Sequence, residues 1–166
     1  MVGTTPSVLI ILDEIEARLG NITVANEYWY TMKQIVRSKL MPFKNYDLPS
    51  INYWPTGLGN ESEAYQDDKR TLDVFFEMHT MTRDEPFTDV AEKLATDGVT
   101  ALNRTIIAPK VSDAPNVDLN DTVEAFRYHG HDYVIGEGEE PWCACLIRMS
   151  VVFHATPFDM YAYTAS

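Results

Sequence analysis

The cleanest pattern in the chain lies between Lys69 and Thr80. Leu72, Val74, Phe76 and Met78 alternate with Thr71, Asp73, Phe75, Glu77 and His79, the period-two signature of a half-buried strand. Two other stretches follow the helical period. Val8, Leu12, Ile15 and Leu19 share one stripe while Asp13, Glu14, Glu16 and Arg18 face elsewhere, which predicts a first helix over Pro6 to Leu19. Thr5 suits its N-cap, Pro6 its first position and Gly20 its left-handed end. A second helix is predicted from Pro86 onward. Phe87, Val90, Ala91, Leu94, Ala101 and Leu102 form its apolar stripe, and Asp84 or Glu85 complements its amino end. Gly98 falls on that stripe, which points to close packing rather than an early stop.

The remaining segments are read from composition and punctuation. Ala25 to Arg37 is rich in aromatic and β-branched residues and predicts a strand with Tyr28, Tyr30, Met32 and Val36 on one face. Pro42, Pro49 and Pro55 then interrupt the chain, leaving a short strand near Ser50 to Trp54 at an edge or in a brief pairing. Gly57 to Asp68 has no apolar period and reads as a polar loop, and Ala108 to Asp121 reads as irregular. A closing hairpin is predicted from Thr122 to Ile135 and Trp142 to His154, joined through Gly136 to Pro141. In its second strand Cys143, Cys145, Ile147, Met149, Val151 and Phe153 share a face, and Trp142, Ala144, Leu146 and Val152 make the opposite face apolar too. Such a strand is central in its sheet, or one face meets another subunit. The order is α-β-β-β-α-β-β. Strands joined by loops rather than helical crossovers predict an α+β fold, a mainly antiparallel sheet covered by two helices.

A length of 166 residues suits one domain. Charge changes the picture more than length does. The chain has 25 acidic and 13 basic residues, a net charge of −12, and its longest basic run is Lys69-Arg70. Tight phosphate binding needs clustered Lys and Arg, so a general nucleic-acid binder is excluded. The apolar run Val8 to Leu12 is far shorter than the roughly 20 residues of a membrane span, and no membrane partner is expected. Cys143 and Cys145, two apart on one strand face, cannot readily bridge each other, which fits a reducing compartment.

Candidate chemistry is sparse. His129 and His131 form an HxH pair placed on one strand face, beside Asp132, but zinc needs three or four converging ligands and nothing in the spacing brings His79, His154 or the cysteines to them. Asp73, Glu77, Asp67 and Asp68 would need a lysine at defined spacing to make a metal-dependent nuclease, and Glu77 is followed by Met78-His79 with none. Gly57-Leu-Gly59 is followed by Asn60 and Glu61 rather than a helix with a lysine, and Asp118 to Asp121 lacks the glycine and final Glu of a calcium loop. No catalytic residue, metal site or cofactor is expected.

The order of parts itself carries a resemblance. The helix ending "ARLGNI" is followed by "ANEYWYTMKQIVR", "LPSINYW", a polar loop, "KRTLDVFFEMHT", the helix "VAEKLATDGVTALN" and a closing hairpin. From Ile10 to Phe153 this resembles the tail terminator, or tail-completion, proteins in the neck of long-tailed bacteriophages. The resemblance implies a structural virion protein, assembled in the host cytoplasm as a homo-oligomeric ring, usually of six copies, at the head-proximal end of the tail tube. Such a ring ends tube polymerisation, contacts the tail tube protein and the head-closure or connector protein, and lets viral DNA pass without binding it. A head-closure or tail-tube component is the nearest alternative, and a small metal-dependent enzyme using the histidines and acids a more distant one. Within the ring reading, the acidic stretch Glu61, Glu63, Asp67 and Asp68 is expected to face lumen or tube. Tyr28, Trp29 and Tyr30 on one side and Trp142, Leu146 and Val152 on the other are candidates for the subunit interface, with plain core packing the alternative for both.

Overall fold

The computed structural model describes residues 7–64, 67–82, 85–103, 123–136, 141–155 and 163–164, with backbone alone at 60–64, 67, 155 and 163–164. Helix α1 (Ser7–Leu19) leads through a turn of 3-10 helix at Val24–Asn26 to strand β1 (Gln34–Arg37). Strands β2 (Ser50–Ala64) and β3 (Asp67–Met81) follow, then helix α2 (Phe87–Leu102), β4 (Ala125–Gly136), β5 (Trp142–Ala155) and the two-residue β6 (Tyr163–Thr164). The strands form one sheet in the order β1-β2-β3-β5-β4, with β6 pairing the end of β5. β1 and β2 are parallel, and the other pairs among the described residues are antiparallel. The fold is α+β, as the alternation and the two helical stripes predict.

Both helices pack on the same face of the sheet. Leu72, Val74, Phe76 and Met78 of β3 and the odd-numbered residues Cys143 to Phe153 of β5 are essentially inaccessible, in one core with Ile11, Leu12, Ile15, Leu19, Val90, Leu94 and Leu102. Each such side chain stabilises the fold by roughly 1.5–3 kcal/mol. Gly98 lies where α2 crosses β3 and β5: a methyl there would stand 2.5 Å from Met78 Sδ and 2.8 Å from Ile147 Cδ1. The glycine is therefore a packing contact, not a helix stop.

One buried charge and one buried hydroxyl join the helices to their surroundings. Arg18, 1% exposed, donates from Nη1 to the Leu102 carbonyl at 2.7 Å and from Nε to Glu14 at 3.2 Å. A guanidinium there meets the negative end of the α2 dipole. On α1's other side Tyr53 donates to Glu16 at 2.6 Å and accepts from Arg37 Nε at 2.9 Å, and Arg37 also reaches Asp13. Burial is the main reason the Tyr53 hydroxyl is held well above its ordinary pKa.

Three expectations need correction. The stretch from Ala25 to Arg37 is not one strand; only Gln34–Arg37 pairs. Glu27 takes a left-handed turn at φ 68°, and the Trp29 and Tyr30 amides donate to the buried Asp97 carboxylate at 3.1 and 3.0 Å. Those amides are thereby withdrawn from any ladder. The stretch Gly57 to Asp68 is not an open loop. Its backbone continues β2 to Ala64 and re-enters as β3 at Asp67, paired with it throughout except at two register shifts. Backbone pairing needs no apolar period, which is why composition misreads it. Finally, β2 is fifteen residues long, and β1 covers it only from Ser50 to Tyr53. Among the described residues it is an edge from Trp54 on, and Pro55 sits just past the point where its missing N–H would be needed.

Candidate functional site

Among the described residues, the sheet's second face carries no helix. Across it run Asn52, Trp54, Phe75, Glu77 and His79 of β2 and β3, and Trp142, Leu146, Arg148 and Ser150 of β5, fixed by the cross-strand registers Asn52↔Glu77, Trp54↔Phe75, His79↔Ala144 and Glu77↔Leu146. Trp54 and Phe75 meet edge to face at 6.1 Å and both remain partly exposed. Arg148 pairs with Asp132 at 3.2 Å. Leu146 and Trp142 are also partly exposed, but Val152 is 2% exposed and Ala144 fully covered within the chain itself. Two of the three residues expected on this side of an interface are thus available, and Val152 is core.

The aromatic triplet divides in the same way. Tyr28 is buried at 7%, Tyr30 is half-buried, and Trp29 is 61% exposed. Trp29 is nonetheless held in place: its amide binds Asp97, and the Lys93 ammonium, which pairs with Glu85, lies 4.9 Å from the indole ring. A large exposed aromatic side chain on a fixed backbone suits an interface anchor. Sequence reasoning passed over Asp97, although an acid three residues after Leu94, on the apolar side of α2, is a visible signal of a buried partner.

Of the acidic stretch, Asp68 is 6% exposed and lies 3.7 Å from Arg70. It does not present its charge on the surface of the chain, since its strand position turns it toward the covered face beside Leu72. Glu61 lies opposite Lys69 in the hairpin register. The side chains of Glu61, Glu63 and Asp67 lie outside the described residues.

The histidine pair is separated by the fold. Gly130 adopts φ +116° at a bulge opposite Arg148, and one extra residue turns its two neighbours to opposite faces. His129 bonds the Ser150 hydroxyl at 2.6 Å. His131 lies on the α2 side, where it meets Glu92 at 3.1 Å, Tyr133 at 3.1 Å and the Tyr128 hydroxyl. The expectation that both histidines share one face is overturned. Tyr133 donates to Glu92 at 2.5 Å, which pushes its own pKa up to about 12 and holds the Glu92 carboxyl low. Among the described residues no three His, Cys, Asp or Glu side chains gather as a metal site would require.

The cysteines are free, buried and on the same face. Burial raises their thiols to about 11 and about 12, so neither is a thiolate near neutrality. No protein-family model matches the chain. No curated protein matches it either. Function must therefore be argued from these surfaces. Among the described residues no helix is long and apolar enough to cross a membrane.

The helix-free face also holds a concavity. The segment from Ser38 to Leu48 folds over the helix-free face and is pinned there by Asn52, whose side chain accepts from the Lys39 amide at 2.8 Å and donates to the Lys39 carbonyl at 3.3 Å. Between this segment and the sheet lies a cavity of about 360 Å³ lined by Phe43, Leu48, Asn52, Glu77, His79 and Trp142 among others. The rim segment itself exposes Leu40 at 96% and Met41 at 74%.

Proposed function

We propose that the protein is a structural component of a bacteriophage neck, a tail terminator that assembles as a homohexameric ring on the tail tube. The order of elements carries the reading: a leading helix, a sheet with its long central hairpin, a second helix and a closing hairpin. It is supported by surfaces suited to contacts between copies, namely fixed, exposed Trp29 and the partly exposed Trp54, Phe75, Leu146 and Trp142. A ring needs two different patches that fit each other, and these lie on separate parts of the chain. Six copies at −12 each would carry −72 formal charges in all, and a lumen lined by carboxylates would repel phosphate, so DNA would slide rather than bind. The tube protein and the connector protein are the partners of the two ring faces.

The deciding experiment is mass measurement under native conditions with imaging of the particles. Six copies of an 18.9 kDa chain give about 113 kDa, and annular particles of that mass that cap isolated tail tubes are expected. A protein that stays monomeric and leaves tube ends bare overturns the reading. Replacing Glu61, Glu63 and Asp67 by their amides tests the channel charge, and the expected result is poorer DNA passage or tail joining with the fold intact.

A further inference from the structure

The cavity under the Ser38–Leu48 segment has a composition of its own. Its walls combine exposed aliphatic side chains, Leu40 and Met41, with three rings in a row: Phe43 lies 5.7 Å from His79, and His79 lies 5.4 Å from Trp142. One carboxylate enters the lining, Glu77, whose neighbour is the His79 imidazole at 3.4 Å. At about 360 Å³ the space exceeds the roughly 30 Å³ share of one water many times over. Apolar walls with a few converging polar groups are what a ligand site requires.

We propose that this cavity binds a small alkylammonium ion, its aliphatic stem against Leu40 and Met41 and its cationic head between the Trp142 ring and the Glu77 carboxylate. The inference goes beyond the ring reading and stands without it. Two observations favour a cation over an anion, and a third is that this wall already seats an ammonium head, Lys39 Nζ at 4.0 Å from the Phe43 ring centre, the geometry in which a ring face attracts positive charge. The His79 contact holds the Glu77 carboxyl below its ordinary range, so the carboxylate is charged near neutrality. The net charge of −12 raises the local concentration of cations and lowers that of anions. Lys39 makes no ion pair among the described residues, and its charge opposes a cationic guest while it would help an anionic one. That opposition gives the proposal a sign that can be tested.

The experiment is a titration of the isotopically labelled full chain, followed by NMR, with n-butylammonium chloride and, at equal ionic strength, sodium butyrate. Butylammonium is expected to shift the Trp142 indole N–H and the His79 ring signals saturably, with a dissociation constant on the order of 1 mM for so few atoms. Butyrate is expected to leave them in place. Glu77→Gln should weaken butylammonium roughly tenfold through loss of one charge-assisted contact, and Lys39→Met should tighten it severalfold. The proposal is overturned by the absence of a saturable shift, by equal affinity in Glu77→Gln, by weaker binding in Lys39→Met, or by butyrate binding better than the amine. Lys39→Met changes a partly exposed side chain whose backbone contacts to Asn52 stay, so its result does not depend on how well Glu77→Gln folds.

Discussion

Asp97 shows how much one residue decides. It is 2% exposed, and its two oxygens take the amides of Trp29 and Tyr30. Removing it leaves two part-buried donors without acceptors, each at a cost of up to roughly 1–3 kcal/mol. Asp97→Ala should therefore lower unfolding free energy by about 3 kcal/mol in urea titration, and the Trp29 fluorescence should red-shift as the loop loosens. A loss below about 0.5 kcal/mol, the range of ordinary surface changes, counts against the anchor. Cys143 and Cys145 make a second case. Burial raises both thiols above their unfolded value of 9.0, to about 11 and about 12. Folding thus favours the protonated form. That contribution is complete below about pH 9 and is lost as pH rises through the folded values. The melting temperature should fall between pH 9 and pH 12, less steeply in a Cys143→Ala, Cys145→Ala variant, and neither thiol should react with a disulfide reagent at pH 8 until denaturant is added. The inert character of the pair was legible in the sequence, from its alternation with Ala144 and Leu146 in an apolar strand. Asp97's role was not, because its partners are backbone amides sixty-seven and sixty-eight residues away.

At the scale of elements, what a periodic pattern dictates was readable and what a ladder dictates was not. The stripe of α1 and the alternation of β3 are written in side chains, and both elements form where those patterns lie. The outer half of β2 is held by its backbone partners in β3, so Gly57, Gly59 and Asn60 pair with no apolar period to announce them. The aromatic-rich stretch after Ala25 failed in the opposite sense: good strand formers were drawn into a turn by a long-range acceptor. Gly98 and Gly130 give this scale its prediction. Gly98→Leu would drive a branched side chain into Met78 and Ile147, and overpacking of that kind costs about 1–3 kcal/mol. Gly130→Val would force a β-branched residue to φ +116°, a further strain of order 1–3 kcal/mol, and would favour straightening of the bulge. The measurable consequence is specific: His129 should leave Ser150, visible as a changed His129 ring signal, while Gly98→Leu should leave that signal alone.

At the scale of the whole molecule, the charge and the apolar surfaces pull in opposite directions. A net charge of −12 per chain resists self-association, whereas Trp29 and the Trp54, Phe75 and Leu146 surface favour it. Assembly of the proposed ring would depend on which term dominates, and salt changes only one of them. Screening shortens the reach of charge repulsion from about 10 Å at 0.1 M ionic strength to about 3 Å at 1 M, while apolar contacts are retained. Sedimentation measurements should therefore show the oligomer strengthening as salt rises, the reverse of an assembly held by ion pairs. Trp29→Ala and Leu146→Asp should each return the protein to monomers at every salt concentration, with thermal unfolding little changed because neither side chain belongs to the core. The same substitution at Val152, 2% exposed, should instead unfold the chain. If Leu146→Asp and Trp29→Ala leave the oligomer whole, the contacts between copies lie elsewhere. If oligomers weaken with added salt, charge pairing rather than apolar burial joins them.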